Sequence, residues 1–139
     1  MTHPVPGHPL LARRSSGVLL HLTSLPGRHG SGDLGPSAHH FLDWLALSGQ
    51  TLWQILPLTP PGAGHSPYQS PSAFAGSPWL VDLDDLAQAG WLERLPDPGL
   101  DADHCDFARV VPYRLSALRA AWFGFDERAN PNDRESLAG

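Results

Sequence analysis

The chain contains no lysine, and its nine basic residues are arginines scattered along the sequence. No basic stripe runs along any segment, so the electrostatic footprint of a nucleic-acid binder is missing. The lysine deficit is read as codon bias and carries no functional content. A single cysteine, Cys105, excludes an internal disulfide and fits a reducing compartment. Set among Asp103, His104 and Asp106, it reads as a small inert side chain. No run approaches the ~18 apolar residues of a membrane span. Residues 1–16 offer only Leu10-Leu11-Ala12 before Arg13-Arg14, short of the roughly 7 to 15 apolar residues of a secretory signal. These absences lead to the expectation of a soluble, cytoplasmic protein without a membrane or nucleic-acid partner. Glutamate is scarce too, with Glu93, Glu127 and Glu135 all in polar contexts.

Punctuation is abundant instead. With 14 glycines and 15 prolines in 139 residues, much of the chain must be loop, while 41% hydrophobic content still suits one modest globular domain. Residues 1–13 read as a loose leader. Residues 17–22 form a short apolar run suited to a strand buried on both faces. Residues 23–35 are a glycine-rich loop, and Pro36 opens a helix at its first position, where no amide hydrogen is needed. Ala38, Phe41, Leu42 and Leu45 share one face of that helix, which Gly49 ends. A second buried strand is expected at 51–58, giving a βαβ unit with parallel strands. Further on, the pattern predicts a short extended segment at 79–83 and a short helix at 86–89, capped by Asp84 or Asp85. Residues 96–106 read as an acidic surface loop. A longer helix is expected from Pro112, with Leu115, Leu118, Trp122 and Phe125 on one face. Asn130-Pro131 announces a last helix that the remaining residues do not complete, so the chain reads as the start of something longer or as a frayed tail.

The most informative stretch is 50–86, where an apolar strand ends at Pro57 and feeds a loop rich in hydroxyls, amide and rings but nearly free of charge. Such a loop suits a neutral polyhydroxylated ligand, which needs ring faces for stacking and short polar groups for its hydroxyls. The competing reading is a structural Pro/Ser/Gly loop around a buried tyrosine. Three other motifs lead elsewhere and fall short. Gly30-Ser31-Gly32-Asp33-Leu34-Gly35 is a literal GxGxxG before a helix, but seven residues separate it from the strand and no acid follows at the ribose distance. The eight histidines show no metal-ligand spacing, only His21 and His65 being well placed. Asp82 and Asp84 would project about 6 to 7 Å apart on a strand. That is near the roughly 5 to 5.5 Å of a retaining glycosidase pair, yet they are better explained as helix caps. The chain is therefore expected to hold no catalytic carboxylate pair, metal site or cofactor.

Six ordered blocks carry a resemblance: residues 14–21, 23–27, 32–35, 53–58, 66–70 and 72–76. Together they are similar to the N-terminal region of the 4-alpha-glucanotransferases, the amylomaltases or disproportionating enzymes of the α-amylase superfamily. The match is dense from 14 to 92 and thins beyond. It implies an α/β fold, the N-terminal part of a (β/α)8 TIM barrel left incomplete in this chain, with 17–22 and 51–58 as its first two strands. The loop after the second strand would then lie on the barrel face where active sites are built. The resemblance further implies transfer of an α-1,4-glucan segment to a new acceptor by a retaining double displacement without organic cofactor. The carboxylates for it lie downstream, so the chain itself is expected to be inactive, its partners being α-1,4-glucans, malto-oligosaccharides and the rest of the barrel. Tyr68 carries over as a donor-subsite ring and Ser66 as a residue close to glucan, with Gln69, Phe74 and Trp79 supporting the loop. Trp53 and Gln54 are expected to brace the second strand. Three positions depart from the family pattern: Leu22 stands for a proline, Ser77 for an asparagine, and His65 for an aspartate. The rival reading is a stand-alone glucan-binding module without chemistry.

Overall fold

The computed structural model describes residues 14–93, 95 and 98–138. The leader assigned to 1–13 lies outside them. Two strands, β1 (Gly17–Leu19) and β2 (Leu52–Gln54), pair in parallel with Gly17 opposite Leu52 and Leu19 opposite Gln54. Gly17 is required there, because a Cβ at this position would collide with the Leu52 carbonyl oxygen. Helix α1 (Pro36–Leu47) crosses between them, so the expected βαβ unit is present. Trp53 ties the unit together: its ring and that of Phe41 sit edge to face with centroids 4.9 Å apart, and its Nε1 donates to the Leu20 carbonyl at 2.8 Å. It braces the strand as expected, while Gln54 is exposed.

The strands are shorter than predicted and are not buried on both faces, Leu19 being 56% exposed. Parallel sheets hide both faces only when further strands and helices cover them, and two strands supply neither. On α1, Ala38 and Leu45 are buried and Phe41 partly so, whereas Leu42 is 46% exposed. The segment expected to be extended at 79–83 begins as a 3-10 turn, Pro78–Leu80, and runs into helix α2 (Leu83–Gln88). Asp82, rather than Asp84 or Asp85, caps that helix, its carboxylate accepting from the Asp84 amide at 2.9 Å. The apolar side chains gather around Leu22, Leu25, Ala38 and Leu80 on one side, and around Leu83, Leu92, Ala117 and Ala121 on the other.

Helix α3 (Phe107–Arg128) starts five residues before Pro112, with Asp106 as N-cap accepting from the Ala108 amide at 3.0 Å. The proline is therefore interior, where it removes one helical hydrogen bond, and it lies on an exposed position. The buried face is also offset from the predicted one: it runs through Val110, Arg114, Ala117, Ala121, Gly124 and Phe125. Of the predicted stripe only Phe125 is buried, and Trp122 is 57% exposed. The last helix, announced by Asn130-Pro131 and expected to stay incomplete, is formed as α4 (Pro131–Ala138). The Asn130 side chain accepts from the Asp133 amide at 3.0 Å, and the Asp133 carboxylate accepts from the Asn130 amide at 3.1 Å, a reciprocal cap.

Candidate functional site

Parallel pairing sends both strands toward the same end of the unit, and the loops that leave them meet there. Leu20 continues the ladder by donating to the Gln54 carbonyl at 3.0 Å before the first loop turns away at His21. The second loop leaves β2 through 55–58 and returns at Ser77, whose amide donates to the Leu58 carbonyl at 2.9 Å. Between the two loops lies a cavity of about 230 Å³, walled by His21, Leu56, His65, Trp79 and Phe107 among others. Burial pushes the His21 imidazole below the usual histidine range. Its Nδ1 is buried with no hydrogen-bond partner among the described residues.

The turn at 66–69 carries Tyr68 and Ser66, expected beside glucan, and Gln69, expected to support the loop and counted with Phe74 among the candidate substrate-binding residues. Ser66 accepts at its carbonyl from the Gln69 amide at 3.1 Å and at its hydroxyl from the Tyr68 amide at 3.4 Å. The Gly62 amide in turn donates to the Gln69 carbonyl at 2.5 Å. Tyr68 is thus presented by a hydrogen-bonded turn and is 73% exposed, which removes the reading of a loop built around a buried tyrosine. The Gln69 side chain is exposed and Ser66 half-buried. Phe74 stands apart on a separate turn, its amide donating to the Ser72 hydroxyl at 3.2 Å, and its ring is fully exposed. The hydroxyls of Ser70 and Ser72 are engaged by the loop's own backbone. The hydroxyl-rich composition therefore serves loop shape first, Ser66 included, and Tyr68 and Gln69 are the exposed side chains of this turn.

Phe107 was not legible as a site residue. It reaches the cavity from α3, and its only local mark is its place beside the Asp106 cap. Trp79, half-buried, lines the cavity.

The remaining candidates are structural. Asp33 Oδ1 accepts from the Gly35 amide at 3.0 Å, and Asp33 Oδ2 accepts from Arg114 Nη2 at 3.1 Å. Arg114 is fully buried and also donates to the Val81 carbonyl at 2.5 Å. Burial raises the Asp33 pKa, and Arg114 beside it opposes that rise. A Cβ at Gly35 would meet the Asp82 carboxylate at 2.6 Å and that of Asp33 at 2.8 Å. Two carboxylates thus crowd the start of α1, where a dinucleotide fold needs room and positive potential for pyrophosphate. Asp84 pairs with Arg28 at 3.2 Å and lies 3.4 Å from His29 Nε2. Asp82 and Asp84 are hence engaged in capping and pairing, not poised across a bond. Among the described residues no group of three or more His, Cys, Asp or Glu side chains could hold a metal ion. No helix among them is long and apolar enough to cross a membrane.

The profile of the 4-alpha-glucanotransferase family matches residues 20–138. A 4-alpha-glucanotransferase of Thermus thermophilus is 49% identical over 125 residues, covering 90% of this chain and 25% of the relative. One from Synechocystis is 46% identical over 119 residues, covering 84% of this chain and 24% of the relative. In three dimensions the chain is similar to the amylomaltase of Streptococcus agalactiae in complex with acarbose. That match has a TM-score of 0.81 at 38% identity and covers 91% of this chain and 26% of the other. The chain thus spans about a quarter of the length of the relatives it matches. Amylomaltase is a TIM-barrel enzyme, and this chain is an incomplete α/β part of such a barrel. The profile match along most of its length and the shared three-dimensional arrangement make this chain a member of the 4-alpha-glucanotransferase family.

Proposed function

We propose that this chain carries one wall of the glucan site of a cytoplasmic 4-alpha-glucanotransferase. That enzyme transfers a segment of an α-1,4-glucan to the 4-hydroxyl of glucose or a malto-oligosaccharide by a retaining double displacement. The observation that carries the reading is the exposed Tyr68 ring on a closed turn beside the carboxyl ends of parallel strands, where barrel enzymes build their sites. Tyr68 stacks on a pyranose face, Ser66 and Gln69 hydrogen-bond its hydroxyls, and Phe74 offers a second exposed ring. The acarbose bound to the matched amylomaltase fits this class of ligand.

The chemistry needs a nucleophilic carboxylate and an acid/base carboxyl about 5 to 5.5 Å apart. Asp82 and Asp84 are held in caps and ion pairs, so these 139 residues by themselves perform no transfer. Two preparations test this. The pure chain should release no glucose from maltotriose. A chimera in which residues 14–138 replace the matched stretch of the Thermus relative should redistribute maltotriose into longer chains and glucose. Transfer by the pure chain, or a folded but inactive chimera, overturns the reading.

A binding module without chemistry is the second reading, favoured by the internally closed 62–69 turn. Titration of the chain with maltoheptaose under tryptophan fluorescence separates the two, because a module saturates and an incomplete barrel does not.

A further inference from the structure

Among the described residues His65 alone of the non-glycines has its backbone in the left-handed region, at φ 54°. Residues other than glycine adopt that region sparingly, asparagine, aspartate and histidine most readily among them. The imidazole stacks on Phe107, the first residue of α3, with ring centroids 4.9 Å apart and planes inclined by 11°. Near-parallel rings at that separation are offset, the favoured geometry for such a pair. Both rings also wall the cavity at the strand ends.

The loop's own hydrogen bonds do not reach this helix. Gly62 donates to Gln69, His65 to Gly62 at 2.9 Å and Gln69 to Ser66, so they close the turn on itself. The ring pair joins that closed turn to α3. We propose that the His65–Phe107 stack is a clasp that positions the 66–69 turn, and with it the Tyr68 ring, against the start of α3. The proposal rests on Tyr68 being the stacking platform, and it makes His65 and Phe107 positioning residues that need not touch glucan.

Amide hydrogen exchange on the 139-residue chain tests the clasp directly, read at Gly62, His65 and Gln69. His65→Asn removes the ring and keeps a residue suited to the left-handed backbone, and Phe107→Leu removes the partner ring without altering the loop. Each should speed exchange at these amides by about two- to tenfold, the range expected for losing one aromatic pair. The double variant should be no faster than either single one, and Phe107→Tyr should match the parent. Exchange at Ala121, in the buried part of α3, reports any general loosening, and if Phe107→Leu loosens the helix, the exposed His65→Asn decides alone. Unchanged exchange in His65→Asn, or effects that add in the double variant, would overturn the clasp. In the chimera the same variants should raise KM for maltotriose by a similar factor with kcat unchanged, the sign of lost uniform binding. Faster exchange with unchanged KM would keep the clasp and refute Tyr68 as a platform.

Discussion

Two loop regions of similar punctuation behave in opposite ways. At 26–37 the glycines bring charged groups inside: Asp33 and Arg114 are buried against each other, and the Asp82 carboxylate lies beside Gly35. At 59–77 the chain has no carboxylate or arginine at all, its serines bond their own backbone, and Tyr68 and Phe74 face solvent. The first region joins distant parts of the chain, while the second presents a surface. Glycine and proline content does not separate them. The difference lies in whether the polar groups find partners far along the chain or within the turn.

The sharpest way to break this comparison is to remove one charge from the buried junction. Asp33→Ala should cost about 3 to 5 kcal/mol in a urea melt, because Arg114 is left charged and buried without its anion. Adding Arg114→Met should recover part of the loss. A cost below about 1 kcal/mol, the median for an exposed pair, would show that the junction is no more than a surface contact. Trp53→Phe comes next: it keeps the ring against Phe41, loses the donor to Leu20, and should cost about 1 kcal/mol in the same melt. The pH dependence of stability offers a third contrast. Because burial lowers the folded-state pKa of His21, folding favours the neutral ring. Its contribution is present above the unfolded value of 6.5 and is lost as pH falls below that through the folded pKa. His21→Gln should flatten that part of the acid limb, and an unchanged slope would refute the burial argument. Smallest of all, Phe74→Ser and Tyr68→Ala should each change stability by less than about 0.5 kcal/mol, as exposed positions do.

The same contrast explains what could be read from the sequence. Helix α1 and the strand pair were legible because Pro36, the apolar period and the short buried-type runs are local signals. The start of α3 was misread because Pro112 imitates a first-turn proline, while the true cap, Asp106, looked like one more acid in an acidic loop. Its buried face was misread because Ala117, Ala121 and Gly124 are small and Arg114 is charged, so hydropathy points to Leu115, Leu118 and Trp122 instead. Asp33 and Arg114 lie 81 positions apart, and no local pattern announces such a pair. The loop that holds Ser66, Tyr68 and Gln69 was legible as a loop for the opposite reason: the hydrogen bonds that close its turn lie within it. Phe107, which reaches the loop from α3, was not.

The most direct test is the transfer activity of the Thermus chimera with and without the Tyr68 ring. Loss of one stacking platform should lower kcat/KM on maltotriose by about tenfold in Tyr68→Ala, equivalent to ~1.4 kcal/mol of transition-state binding, with the melt unchanged. A Tyr68→Ala chimera with the parent kcat/KM would contradict the account, because the exposed loop would then be a surface and nothing more.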